Sequence, residues 1–270
     1  SKKMNNRLLS KFTNELIIEE SIKYKNQFEM LGDFVQRCET DGKPYLKIIE
    51  ENSKSGIYSM NSPGFIQLSD ANQLEILPRS SDSSSICDTK RYLCTKISEK
   101  YGINYSEITI DENYSFIEYF ITIFIRECIK ILKSGLLYGY KSVEENLSMV
   151  QGSILFAEND RRNLVHKEKM YVRHDVFTPD RAENRIIKGA VLLMMKITNS
   201  PQNSLNLKKI LSYLDDVKTP TDYKIEFSRC INTRNTKKYS IVLSICKMLL
   251  EKREKNIGNY ITYALFFDSL

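Results

Sequence analysis

Asp180 stands directly after a proline in HDVFTPDRAENRIIKGAV, and Asp216-Val217-Lys218 follows further along the chain. A Pro-Asp pair completed by Asp-x-Lys is how a restriction-type nuclease holds Mg²⁺. Two carboxylates take the cation and the lysine orients a water. That chemistry needs strands beneath both acidic residues. Here the local signals are helical instead. Thr178 is a good N-cap, Pro179 suits the first helical position, and Asp180 and Glu183 would complement the positive end of the helix dipole. Ile186, Ile187, Ala190, Val191, Met194 and Ile197 continue at helical spacing. Asp216-Val217-Lys218 ends another helical pattern, just before a Thr-Pro turn. The expectation is a helix opening at Thr178, with no catalytic and no metal-binding residue. A compact Mg²⁺ nuclease built on Asp180, Asp216 and Lys218 is the competing enzyme reading.

Other reactive types are sparse. His174-Asp175 has no nucleophile beside it in sequence. Asn184, one turn after Asp180, is spaced to bond back to it, and Arg185 to brace the preceding HDVF segment through Asp175. Arg161, Arg162, Lys167, Lys169 and Arg173 form a basic cluster interleaved with Asn163, His166 and Tyr171. Lysines and arginines of this kind can contact DNA phosphates, and a solvated basic face fits the same residues. A plain DNA-binding domain on this cluster is a further alternative.

The elements that would position these residues divide the chain in two. Residues 1–12 read as a frayed basic end, followed by a short strand and a helix up to Cys38. PYLKIIEE, GIYSM, GFIQL and QLEILP are short β-branched or aromatic runs separated by Ser, Asn, Gly and Pro, which reads as a β-subdomain over 44–78. RSSDSSS (79–85) reads as a surface loop. Helical patterns cover 86–101, 112–133, 203–216 and 236–255, and 112–133 is apolar nearly all round, as in a central buried helix. Strand and turn signals return near 137–157. The expected class is α+β: a β-rich amino-terminal subdomain, 1–85, then a mainly helical region, 86–270.

Composition fits a soluble globular chain, with 41% hydrophobic and 27% charged residues and a net charge of +6. That charge permits a polyanionic partner without requiring one. The six cysteines lack C-x-x-C spacing and the chain has two histidines, which suits free thiols in a reducing cytoplasm rather than disulfides or a zinc site. The most apolar stretch, 116–132, carries Glu118, Arg126, Glu127 and Lys130, costly residues in lipid. A cytoplasmic protein without a membrane partner is expected.

Several phrases together resemble the McrC family, the nuclease subunit of McrBC-type restriction systems. Tyr140, Glu145, Asn146 and Leu147 match its Tyr-x-x-x-x-Glu-Asn-Leu element, and Gly152 its strand glycine. Arg161 or Arg162 with Asn163 matches an Arg-x-Asn element. Phe177, Thr178, Asp180, Asn184, Arg185 and Lys188 match a Phe-Thr-x-Asp-x-x-x-Asn-Arg-x-x-Lys phrase. GFIQLSDANQLEILPR is similar to a strand pair of the family. Gln151 and Ser153 depart from the basic residues that often flank the glycine.

The resemblance implies an amino-terminal, non-catalytic portion, either a fragment or a naturally short homologue, in which the family's nuclease domain is expected to be absent. It implies a finger that enters the pore of an McrB-type AAA+ GTPase hexamer and stimulates it, in a complex that acts on DNA, possibly methylated. GTP and Mg²⁺ would belong to that partner, and no cofactor to this chain. Lys54, Ser55, Tyr58, Asn61 and Ser62 are the candidate finger tips.

Overall fold

The computed structural model describes residues 8–51, 53–79, 85–103, 109–231 and 233–268. The serine loop expected at 79–85 lies mostly outside them. Helix accounts for 44% and strand for 23%, an α+β protein.

Strands β1 (Leu8–Phe12) and β2 (Leu16–Glu19) precede helix α1 (Lys25–Thr40). Residues 8–12 therefore correct the expectation of a frayed end. Leu8, Leu9 and Phe12 are apolar, and β1 gains a ladder by pairing parallel with β6. Strands β3 (Leu46–Glu51), β4 (Lys54–Ser59), β5 (Gly64–Leu68) and β6 (Gln73–Leu77) follow. They form two sheets, ordered β2-β4-β3 and β1-β6-β5-β10. The last member, β10 (Ile261–Phe266), returns from the far end of the chain to pair antiparallel with β5. Gly64 permits that approach, because a Cβ there would meet the Phe266 ring and come within 2.7 Å of the Leu265 carbonyl. The aromatic rings of Tyr45 and Phe266, stacked at 4.0 Å, join the two sheets.

The helical body is α2 (Ile86–Tyr101), α3 (Phe116–Ser134), α5 (Ala182–Ile197), α6 (Pro201–Ser212), α7 (Tyr223–Arg229) and α8 (Ser240–Glu251), with α4 (Phe156–Arg162) set apart from it. Helix α3 is the expected central helix. Phe116, Ile117, Phe120, Ile121, Ile123 and Phe124 have no exposed surface, and each such side chain contributes roughly 1.5–3 kcal/mol by leaving water. The apolar stripe of α5 packs beside it in the same core. One of the two buried acids of α3 has a use. Glu118 accepts hydrogen bonds from the Asn199 amide (2.7 Å), Thr198 Oγ1 (2.9 Å) and Asn203 Nδ2 (2.8 Å), fastening the α5–α6 turn. No helix among the described residues is long and apolar enough to cross a membrane.

Candidate docking arm and its root

Between α3 and α5 the chain leaves this body as an arm. Strand β7 (Gly139–Leu147) pairs antiparallel with β9 (Met170–Thr178), in register from Gly139–Thr178 at the root to Leu147–Met170 near the tip. Nine residues at strand rise carry the ladder about 27 Å. The two-residue β8 (Ser153–Ile154) lies on the other side of β9, and α4 forms the tip. Of the arm's apolar side chains, Val172 is fully buried, whereas Met149, Phe156, Leu164 and Val165 are 71–82% exposed. A tip so apolar and so uncovered is the mark of an interaction surface.

Asparagines hold the tip in shape. Asn146 and Asn163 exchange hydrogen bonds at 2.8 and 2.7 Å. Asn163 Nδ2 also reaches Asn159 Oδ1 (2.8 Å) and the Lys169 carbonyl (3.0 Å), and Asn159 accepts from the Tyr171 amide. Gly152 has φ of +76° and packs where a Cβ would strike the Arg173 carbonyl and lie 3.0 Å from His174 Cα. Only glycine fits there. Glu145 meets His174 Nε2 at 2.6 Å beneath it. The motif residues Glu145, Asn146, Gly152 and Asn163 thus build the arm.

The basic cluster lies along the same arm and is largely paired. Arg161 and Arg162 both bond Glu158, at 2.6 and 3.0 Å, and these contacts hold the Glu158 carboxyl below its ordinary range. The Arg162 guanidinium also covers the Tyr171 ring at 4.6 Å, and Arg173 bonds Glu144 at 2.6 Å. Lys167 and Lys169 are exposed in the loop after α4.

At the root the structure corrects the reading of the Pro-Asp stretch. Thr178 ends β9, and α5 opens at Ala182 with Arg181 as its N-cap. Asp180 lies before the helix, its amide bonded to Thr178 Oγ1. The strand persists through Thr178 because β7 supplies a ladder partner as far as Gly139, and that outweighs the local helix-start signal.

The Asp180 carboxylate is the hub of an ionic network. It meets Arg185 Nε at 2.7 Å, the Lys218 amide at 3.0 Å and Lys141 Nζ at 3.2 Å. Burial alone would raise this carboxyl. The bonds from Arg185, Lys218 and Lys141 outweigh burial and hold it at about 2. Arg185 goes on to Glu226 (3.2 Å), which Arg229 also meets (3.1 Å). Arg185 therefore braces Asp180 and α7 rather than Asp175. Asn184, fully buried, donates to the Pro179 and Leu137 carbonyls and accepts from Tyr239 Oη at 3.0 Å, so it does not bond back to Asp180. Lys188 donates to the Leu214 and Val217 carbonyls at 2.9 and 2.6 Å. The Asp216-Val217-Lys218 segment does come beside Asp180, through the Lys218 amide, while Asp216 itself is exposed. With two cations and an amide already on the Asp180 oxygens, the arrangement is a structural lock. Among the described residues no three His, Cys, Asp or Glu side chains converge as metal ligands.

The finger candidates at 54–62 are not brought together. Lys54 and Ser55 open β4, whereas Asn61 and Ser62 lie beyond its other end, so the strand's own rise keeps the two pairs more than about 15 Å apart. Tyr58 is half-buried in the central strand of its sheet, Asn61 bonds Asn14 and Ser62 bonds Asp268. Sequence reasoning did not single out Lys141, Glu226, Arg229, Tyr239 or the exposed ring of Tyr138, and it named Tyr140 and Phe177 only as residues of the family phrases. The alternation Tyr138-x-Tyr140 leading into a strand was the available signal for the rings.

A two-sheet base, a helical body and a projecting hairpin arm with an apolar tip define an α+β protein with a candidate interaction surface at the end of the arm. A family model described as McrBC 5-methylcytosine restriction system component matches residues 59–269. The chain belongs to that family, as an McrC-like member. It is similar in fold, at 15% identity and a TM-score of 0.65, to a chain of the cryo-EM structure of the Thermococcus gammatolerans McrBC complex, covering 97% of this chain and 83% of that one. A refined half-complex from the tetradecameric assembly of Thermococcus gammatolerans McrB AAA+ hexamers with bound McrC gives 15% identity and a TM-score of 0.62. The match covers 90% of this chain and 64% of that one. No curated protein matches.

Proposed function

We propose that the chain is the McrC-like docking subunit of a DNA restriction complex, which seats its arm on an McrB-type AAA+ GTPase ring and stimulates GTP turnover. The observation that carries this reading is the exposed apolar tip, Met149, Phe156, Leu164 and Val165, held about 27 Å from the body on a two-stranded stalk. A stalk of that length with its apolar residues at the far end suits insertion into a partner better than lateral packing. The similar fold from an assembly of McrB AAA+ hexamers with bound McrC supports the choice of partner. The arm serves this role better than the 54–62 segment, whose candidate tips sit at opposite ends of one strand.

On this reading GTP and Mg²⁺ are bound by the ring, and DNA cleavage belongs to a nuclease outside this chain, because Asp180 is committed to Arg185 and Lys141. The DNA acted on carries modified cytosine, and the complex works in the cytoplasm. The test is to mix the purified chain with its ring, then follow co-elution and GTP hydrolysis. Wild type should bind and accelerate turnover, and Phe156→Asp with Leu164→Asp should do neither while keeping the fold. Failure of the wild type to bind, or full stimulation by the double variant, would refute the arm as the docking element.

A further inference from the structure

Where the arm leaves the body, three aromatic rings form an exposed strip. Tyr138 stacks on Phe177 at 5.1 Å and 26°, and Tyr140 lies against Phe177 at 5.2 Å and 47°. Tyr140 is 78% and Phe177 59% exposed. Tyr140 and Phe177 are direct cross-strand partners, so the ladder itself fixes their spacing. An aromatic strip in water is unfavourable unless something covers it.

Beside the strip is a cavity of about 440 Å³ lined by Tyr140, Lys141, Arg181, Arg185 and Arg229, with Asp180 and Glu183. The charges in it are not equally available. Arg185 is held by Asp180 and Glu226, and Arg181 by Glu183 and the Tyr138 carbonyl. Lys141 and Arg229 are the open ones. Among the described contacts each meets a single carboxylate, and their side chains are 42% and 58% exposed. Both retain N–H donors that face solvent. Further out along the same strand face, the next pair is Ser142 with Asp175, and the acid there repels an anion. Lys141, the residue after Tyr140 in β7, projects from the opposite face of the ribbon and meets Asp180 at its root edge. The aromatic faces therefore lie on the strip, and the spare positive charge lies around that edge, on the root side.

We infer that the Tyr140–Phe177 strip with Lys141 and Arg229 is a site for an unpaired nucleobase and its phosphate, the base stacking on the rings and the phosphate lying toward Lys141 and Arg229. Stacking requires a free π face, which a base in a duplex does not offer. The same chemistry exists in a nucleic-acid single strand and in a free nucleotide. This site is separate from the paired cluster at 161–173 and from the docking tip, and it stands whether or not the arm enters a ring.

The experiment uses the full chain without any ring. Anisotropy of a labelled single strand of about 12 nucleotides is compared with its duplex and with guanosine monophosphate as competitor. The single strand should bind more tightly than the duplex. Tyr140→Ala with Phe177→Ala should weaken it at least about tenfold, since each stacked base contributes roughly 5- to 150-fold, and Tyr140→Phe should bind like wild type. Arg229→Ala should lower the salt slope by about one counterion. Competition by the monophosphate identifies a mononucleotide site, and its failure identifies a strand site; both agree with the inference. Equal binding by the double alanine variant, or preference for the duplex, overturns it.

Discussion

Lys90 Nζ lies 2.7 Å from Glu75 Oε1, and neither side chain has any exposed surface. The pair joins β6 to α2. Its remaining valences are used as well: Lys90 donates to the carbonyls of Glu112 and Tyr114, and Glu75 accepts from Ser10 Oγ and the Phe116 amide. Removing one partner strands a buried charge, which costs about 3–5 kcal/mol. Lys90→Met should therefore lower unfolding stability by that amount in a denaturant titration. The double change Lys90→Met with Glu75→Leu should not restore it, because the Phe116 amide and two carbonyls lose their partners.

Asp180 should make stability depend on acid. Its carboxyl is held at about 2 against an ordinary value of 3.8. A depressed folded-state value means stability that is fully present above 3.8 and is lost as pH falls toward 2. The difference corresponds to about 2 kcal/mol. Asp180→Asn should show this deficit at neutral pH, and the gap to wild type should close between pH 3.8 and 2 in paired urea melts. A gap that is constant across that window would show that the charge is not the source.

Much of this lock was invisible in sequence for a definite reason. The apolar stripe of α5 and the all-round apolarity of α3 were legible because helical periodicity is a local property. The partners of Asp180 come from β7, from the turn after α6 and from α5, and no spacing rule links 141, 185 and 218. The same holds for the start of α5. Thr178-Pro179 carries a helix-start signal, yet the ladder to Gly139 keeps Thr178 in strand. Strand β10 escaped notice because its partner β5 lies some two hundred residues earlier. The family phrases marked the arm correctly without saying that they built one. Glu145, Asn146, Gly152 and Asn163, named in sequence only as residues of the family phrases, fasten the arm together.

Gly152→Ala should damage the arm and spare the body. The positive φ costs about 1 kcal/mol for alanine, and the new methyl collides with the Arg173 carbonyl and His174. Strand β8 must then part from β9. Because the arm contributes one fully buried apolar residue, Val172, the main thermal transition should move little. Hydrogen exchange should instead rise over 153–154 and 172–174, and stimulation of the ring should fall. A large loss of global stability would mean that the arm is integral to the core.

Asn163→Ala and Arg161→Ala separate the apolar tip from the basic cluster as the functional part of the arm. Asn163 is buried and makes four hydrogen bonds that pin the residues on either side of it, Phe156 to Leu164, against the β7–β9 ladder. Without it the tip loses its shape, and ring stimulation should drop several-fold while the unfolding midpoint stays nearly constant. Arg161 makes an exposed pair with Glu158, a contact weakened by solvent screening, and Arg162 still holds the same carboxylate. Its loss should leave both stability and stimulation close to wild type. If Arg161→Ala abolishes stimulation and Asn163→Ala does not, the charged face of the arm meets the ring and the apolar tip does not.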